Sequence, residues 1–139
     1  MTGEPRWIGP YEPTTAPPGE RPAYWLRREF RTGTTGRATL RFAARGLVEV
    51  FVNGTRIGDE LMPGYTQYDR RLPTRTYDVS DVVVAGTNAI VFLLADGWFR
   101  GQTGALRASN QWGTATSAWA QLEIDGRVVV STDDGWRSS

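Results

Sequence analysis

Residues 95–104 read ADGWFRGQTG, so Asp96, Trp98, Phe99 and Arg100 set an acid, two large rings and a guanidinium among glycines. That combination suits a sugar. A pyranose shows an apolar patch of axial C–H groups on one face and hydroxyls around its rim, so its sites pair an exposed ring with planar polar groups. Trp98 or Phe99 can supply the ring and Asp96 and Arg100 the hydroxyl partners, while Gly97 and Gly101 allow the backbone to come close. The alternative is that Trp98 folds back to cap a core, since large aromatics are largely buried on average. Asn110-Gln111-Trp112-Gly113 extends the candidate sugar site with an amide beside an indole, or packs Trp112 on its neighbours. The stretch MPGYTQYDRR adds Tyr65, Tyr68, Asp69 and Arg70 as secondary sugar contacts or as an interface with an adjacent sheet or domain. Tyrosine and arginine are enriched at interfaces as well as in sugar sites.

The chain has 139 residues with neither cysteine nor histidine. Disulfides, the usual zinc sites, thiol nucleophiles, Ser-His-Asp triads and histidine acid–base chemistry are therefore excluded. Carboxylate chemistry, hard-cation binding through oxygen, and recognition by aromatics, amides and arginine remain. Asp59, Asp96 and Asn110, together with Glu60, are oxygen donors that could hold a hard cation such as calcium, although no EF-hand spacing occurs. Asp133-Asp134 reads as a turn. Net charge is +1, which argues for neither nucleic acid nor an anionic membrane as partner. No apolar run approaches the length of a membrane span, and MTGEPRWIGP lacks the basic and apolar regions of a signal peptide. Cytoplasm is the expectation if Met1 is the native start; export stays open otherwise.

Positioning such a site falls to strands. Residues 1–22 hold most of the eight prolines and read as an extended lead-in, either a linker or an arm lying along an edge. Residues 23–139 read as the folded part. YWLRREFR has the mixed alternation of an edge strand. RATLRFAA puts Ala38, Leu40 and Phe42 on one face and Arg37, Thr39 and Arg41 on the other. In LVEVFVNGTRIGDE, alternating Val48, Val50 and Val52 run into Asn53-Gly54, the favoured pair for a type I′ turn, which predicts a β-hairpin. The same asparagine begins a glycosylation sequon, a reading the hairpin outweighs. In RTYDVSDVVVAGTN, Ser80 is expected to cap one helical turn that Gly86 ends. Residues 88–95 are apolar on both faces and predict a central buried strand. Residues 96–116 form a long loop, and AWAQLEIDGRVVVST is a second hairpin turning at Asp125-Gly126. Seven or eight short strands and at most one helical turn predict an all-β fold, an antiparallel β-sandwich.

The succession LRREF, VEVFVNGTRIGDELMPGYTQYDRR and TYDVSDVVVAGTNAIVFLLADGWFRG resembles the amino-terminal accessory, carbohydrate-binding-like domain of bacterial α-L-rhamnosidases. Tyr65 stands where that family usually has tryptophan, and Ala95 where it usually has glycine. A looser version of the same order occurs in sugar-binding domains of β-galactosidases and β-glucuronidases. The resemblance implies a jelly-roll, galactose-binding-like sandwich set ahead of a separate helical toroid that performs inverting hydrolysis. Its implied partners are a rhamnose-containing glycan and the catalytic domain of the same polypeptide. Nothing here resembles the toroid, and inverting hydrolysis needs two carboxyl groups about 6.5–9.5 Å apart across a cleft. The expectation is a non-catalytic module that recognises carbohydrate, positions the catalytic domain, or serves only as an interdomain scaffold.

Overall fold

The computed structural model describes residues 4–138 except 13, 15, 34 and 63–65, and for residues 59–62 it describes the backbone alone. Nine strands occur among these residues: β1 (Tyr24–Thr32), β2 (Ala38–Arg45), β3 (Leu47–Val52), β4 (Thr55–Met62), β5 (Arg75–Asp78), β6 (Gly86–Ala95), β7 (Ser117–Ile124), β8 (Arg127–Ser131) and β9 (Arg137–Ser138). They form two antiparallel sheets, β4-β3-β6-β1-β9 and β5-β2-β7-β8. A short helix, α1 (Gly97–Arg100), follows β6 directly.

The period-2 pattern explains the sandwich. Leu26, Phe30, Val48, Val50, Val52, Ile90, Phe92 and Leu94 of the first sheet meet Ala38, Leu40, Phe42, Ala44, Ala120, Leu122 and Ile124 of the second in one buried cluster. Phe42 and Phe92 touch across the layers with ring centroids 6.3 Å apart. Both predicted hairpins form, and Asn53-Gly54 and Asp125-Gly126 all take positive φ, as a type I′ turn requires. The Asn53 side chain is used in full: its amide N–H groups donate to Val82 O and to Asn88 Oδ1, and its Oδ1 accepts from Ala89 N.

Three local expectations are corrected. The strand YWLRREFR lies inside its sheet, because the two residues of β9 pair with Leu26 and Arg27 on its far side. Asp78, not Ser80, closes the turn after β5: its Oδ1 accepts from the Ser80 backbone N–H at 2.9 Å and from the Ser80 hydroxyl at 2.5 Å. Those same two bonds hold the Asp78 carboxyl below its usual range, the hydroxyl bond weighing most. A helical turn does occur in the long loop, at α1, where the expectation was irregular chain.

The described residues between 4 and 22 contain no named strand, yet they lie against the sandwich. Ile8 forms an antiparallel bridge with Ala118, and Arg6 N donates to Thr132 O. Gly9 crosses so close to Thr116 that a Cβ there would stand 2.6 Å from its carbonyl oxygen.

Candidate functional site

The loop that opens with Asp96 is organised by α1. Gly97 enters with φ +52 and packs directly on Leu47, where any side chain would collide. The one turn of helix sends Trp98 outward, 37% exposed, and buries Phe99 and Arg100. The returning chain is tied down by Asn110 N donating to Arg100 O and Trp112 N donating to Phe99 O. Phe99 meets Tyr68 edge-on with centroids 5.1 Å apart, Trp112 lies 6.0 Å from the same Tyr68, and Gly113 packs so close that a Cβ on it would stand 2.6 Å from the Phe99 ring. The three aromatics therefore form a satellite core beneath the loop.

Arg100 is 1% exposed and its guanidinium is committed inward. Nη1 and Nη2 donate to the two carboxylate oxygens of Glu12 at 2.8 and 3.0 Å, Nη1 also donates to Thr114 O, and Nε donates to Asp96 Oδ1. The second oxygen of Asp96 accepts from Arg21 Nη1 at 3.1 Å, and that nitrogen also reaches Asn110 Oδ1 and Arg100 O. Tyr24 completes the network by donating its hydroxyl to Glu12. Two bidentate-capable cations and two carboxylates, nearly water-free, make a buried ion-pair network in which each charge offsets another's desolvation.

The titrations follow. The Arg100 hydrogen bonds hold the Glu12 carboxyl below its usual range, against the opposing pull of burial. Burial pushes the Tyr24 phenol up, and the Glu12 charge adds to that. Burial favours the neutral form of Arg100, but its bonds to Glu12 and Asp96 outweigh this and raise its pKa.

The sequence-predicted site residues thus divide. Asp96 and Arg100 bond each other rather than standing free for hydroxyls, and Phe99 faces the interior, because Tyr68 covers the ring and Glu12 and Asp96 pair the guanidinium there. Trp98 and Asn110 remain at the surface. Trp112 is half-buried, with its indole N–H buried and unpartnered among the described residues. Tyr68 is buried under Phe99, whereas Asp69 and Arg70 are exposed on the neighbouring turn. Tyr65 and the side chain of Asp59 lie outside the described residues.

Among the described residues, the candidate donors Asp96 and Asn110 do not fit calcium. Both oxygens of Asp96 face guanidiniums, which would repel a second cation, and Asn110 Oδ1 accepts from Arg21. Among the described residues no three acidic side chains gather where a metal ion would be held. Glu12 and Arg21 are what sequence reasoning missed: they sit in the proline-rich segment, and no local pattern marks either as the partner of a residue some 80 positions away.

The class this geometry defines is an antiparallel β-sandwich module whose prominent loop is closed by its own amino-terminal arm. The family model for the alpha-L-rhamnosidase N-terminal domain matches residues 33–139, and the chain belongs to that family. It is 40% identical over 121 residues to an alpha-L-rhamnosidase of Streptomyces avermitilis and 34% identical over 125 residues to one of Formosa agariphila. The matches take in 82% and 86% of this chain but 12% and 13% of those proteins, so the chain spans about an eighth of its relatives' length. The crystal structure of the Streptomyces avermitilis enzyme complexed with L-rhamnose superposes with TM-score 0.79 and 38% identity, over 85% of this chain and 12% of that one. That of the native enzyme from Aspergillus terreus gives TM-score 0.87 and 30% identity, over 96% and 16%.

Proposed function

We propose that this chain is a non-catalytic accessory module of an α-L-rhamnosidase, and that it positions the catalytic part of the same polypeptide through the outer face of the five-stranded sheet. The observation carrying this is β6. Its inward residues fill the sandwich core, but its outward residues, Ala89, Val91, Leu93 and Ala95, are also apolar and only half-buried. Registry sets Trp25 beside Leu93 and Phe51 beside Val91, and the Trp25 and Phe51 rings lie 6.1 Å apart. Trp25 is 44% exposed, and Arg27, Glu29 and Glu49 flank the patch. A strand apolar on both faces belongs between two layers, and this chain supplies one. Relatives about eight times longer have ample chain to supply the other.

The test is whether the isolated chain behaves as a domain with an open face. It should bind a hydrophobic dye and self-associate with rising concentration in sedimentation velocity, and Trp25→Glu should suppress both without altering its circular dichroism. A chain that stays monomeric and dye-silent would end this reading. It should also release no p-nitrophenol from p-nitrophenyl α-L-rhamnopyranoside; turnover would overturn the non-catalytic assignment.

A second reading, recognition of rhamnose-containing carbohydrate, is favoured by a different observation: Trp98 and Asn110 stay exposed on the rim of an otherwise closed loop. A similar protein has been crystallised with L-rhamnose. Loss of binding to methyl α-L-rhamnopyranoside in Trp98→Ala would place recognition on that rim.

A further inference from the structure

The arm and the carboxy-terminal segment enclose a second feature that no motif announces. Between residues 7–11 and residues 133–138 lies an open cleft of about 460 Å³ whose walls include Trp7, Tyr11, Trp136, Asp133, Asp134 and Arg137, with Leu26 also lining it. It brings together three rings from two distant parts of the chain. Trp136 is anchored, stacked on Phe92 at 5.1 Å with its indole N–H donated to Ser131 O. Trp7 is held by the Arg45 guanidinium, 4.3 Å from its ring centroid, and remains 38% exposed. Tyr11 is 77% exposed and is fixed through its backbone N–H, which donates to Ser138 Oγ.

Trp7 and Trp136, held by other contacts, lose little freedom on binding a ligand, whereas Tyr11 is tied through its backbone alone. The polar groups around them are, by contrast, free or only lightly committed. Among the described residues the Tyr11 hydroxyl, the Trp7 indole N–H and the Arg137 guanidinium have no hydrogen-bond or ion-pair partner. Asp133 uses one oxygen to accept from Gly135 N, and Asp134 is tied only to Arg6 at 3.2 Å, with both side chains largely in water. An exposed pair of that kind contributes little and is readily exchanged.

We propose that this cleft is a binding site for a neutral pyranoside, whose C–H face lies on the Trp7 and Tyr11 rings and whose vicinal hydroxyls are shared between the Asp133 and Asp134 carboxylates and Arg137. Aromatic walls with mixed-sign polar groups suit a ligand that is apolar on its faces, carries both donors and acceptors on its rim, and has no net charge. An anion would be opposed by the two aspartates and a cation by Arg137. The inference rests on the carbohydrate reading above but puts the sugar between residues 7–11 and 133–138 rather than on the rim of the Asp96 loop.

The experiment is a ¹⁵N-NMR titration of the whole chain with methyl α-L-rhamnopyranoside, and separately with methyl β-D-galactopyranoside. At least one glycoside should shift the indole N–H signals of Trp7 and Trp136 and the backbone signal of Tyr11. Trp7→Ala should weaken binding about tenfold, the order of one aromatic platform. Tyr11→Ala, at a ring that is mostly exposed, should weaken binding with the spectrum otherwise intact, which covers the case where Trp7→Ala loosens the arm. Shifts confined to Trp98 and Asn110 would overturn the cleft while leaving carbohydrate recognition standing. Silence with both glycosides would overturn the cleft and the carbohydrate reading together.

Discussion

The Asp96 loop and the outer face of the five-stranded sheet hold similar material, large aromatics beside arginine and acid, yet they end in opposite states. In the loop, Arg100 is encircled by Glu12, Asp96 and Thr114 O, and Phe99 is covered by Tyr68 and Gly113. On the sheet, Trp25, Phe51, Val91 and Leu93 form a continuous patch with nothing laid over it among the described residues. The difference lies in reach. A loop can be closed by a flexible arm from its own chain, whereas a flat sheet face some strands wide needs another layer. Composition therefore misleads about which region is available to a partner: the glycine-rich loop is closed and the buried-looking strand is half open.

The contrast breaks most visibly at Arg100. Arg100→Met should strand Glu12 as a buried carboxylate without a cation, leave Asp96 with Arg21 alone, and lower unfolding stability by about 3–5 kcal/mol. Urea denaturation measures this, and a loss under 1 kcal/mol would mean that the network is not the clamp described here. Phe99→Ala should cost a comparable or slightly smaller amount, about 3 kcal/mol, through the cavity left under Tyr68 and Trp112.

Acid is a gentler probe of the same network. Glu12 titrates lower in the fold than in the unfolded chain, so its contribution is present above its unfolded pKa and is lost as pH falls through the depressed folded value. The thermal midpoint should therefore drop below pH of about 4.3, and Glu12→Gln should flatten that part of the profile while lowering the plateau by about 1–2 kcal/mol. An unchanged profile in the variant would remove Glu12 from the network. The smallest effect is expected on the open face: Trp25→Ser should change stability by less than about 1 kcal/mol while abolishing dye binding. A larger loss would mean that Trp25 supports the module itself rather than waiting for a partner.

Legibility differed in the same way between regions. The sandwich was readable because alternation in β2, β3 and β7 and the Asn53-Gly54 and Asp125-Gly126 turns are local signals, each carried by neighbouring residues. β6 reads as a central buried strand; it is central in its sheet but buried on one face only, because a second apolar face says that something covers it, not whether this chain does. In the loop, Asp96, Phe99 and Arg100 read as sugar contacts, but the direction of Asp96 and Arg100 depends on Glu12 and Arg21, which pattern cannot pair with them.

What the sequence by itself determined is the all-β antiparallel sandwich, its two type I′ hairpins, its core residues, and the absence of thiol and imidazole chemistry. These follow from residue type and period alone. Tertiary structure alone decided that the proline-rich arm is a clamp, that Arg100 lies beneath the loop instead of on it, and that Trp7, Tyr11 and Trp136 share one cleft. Each of these depends on groups far apart in the chain meeting, and in the clamp they meet away from water, where a charge must find its opposite.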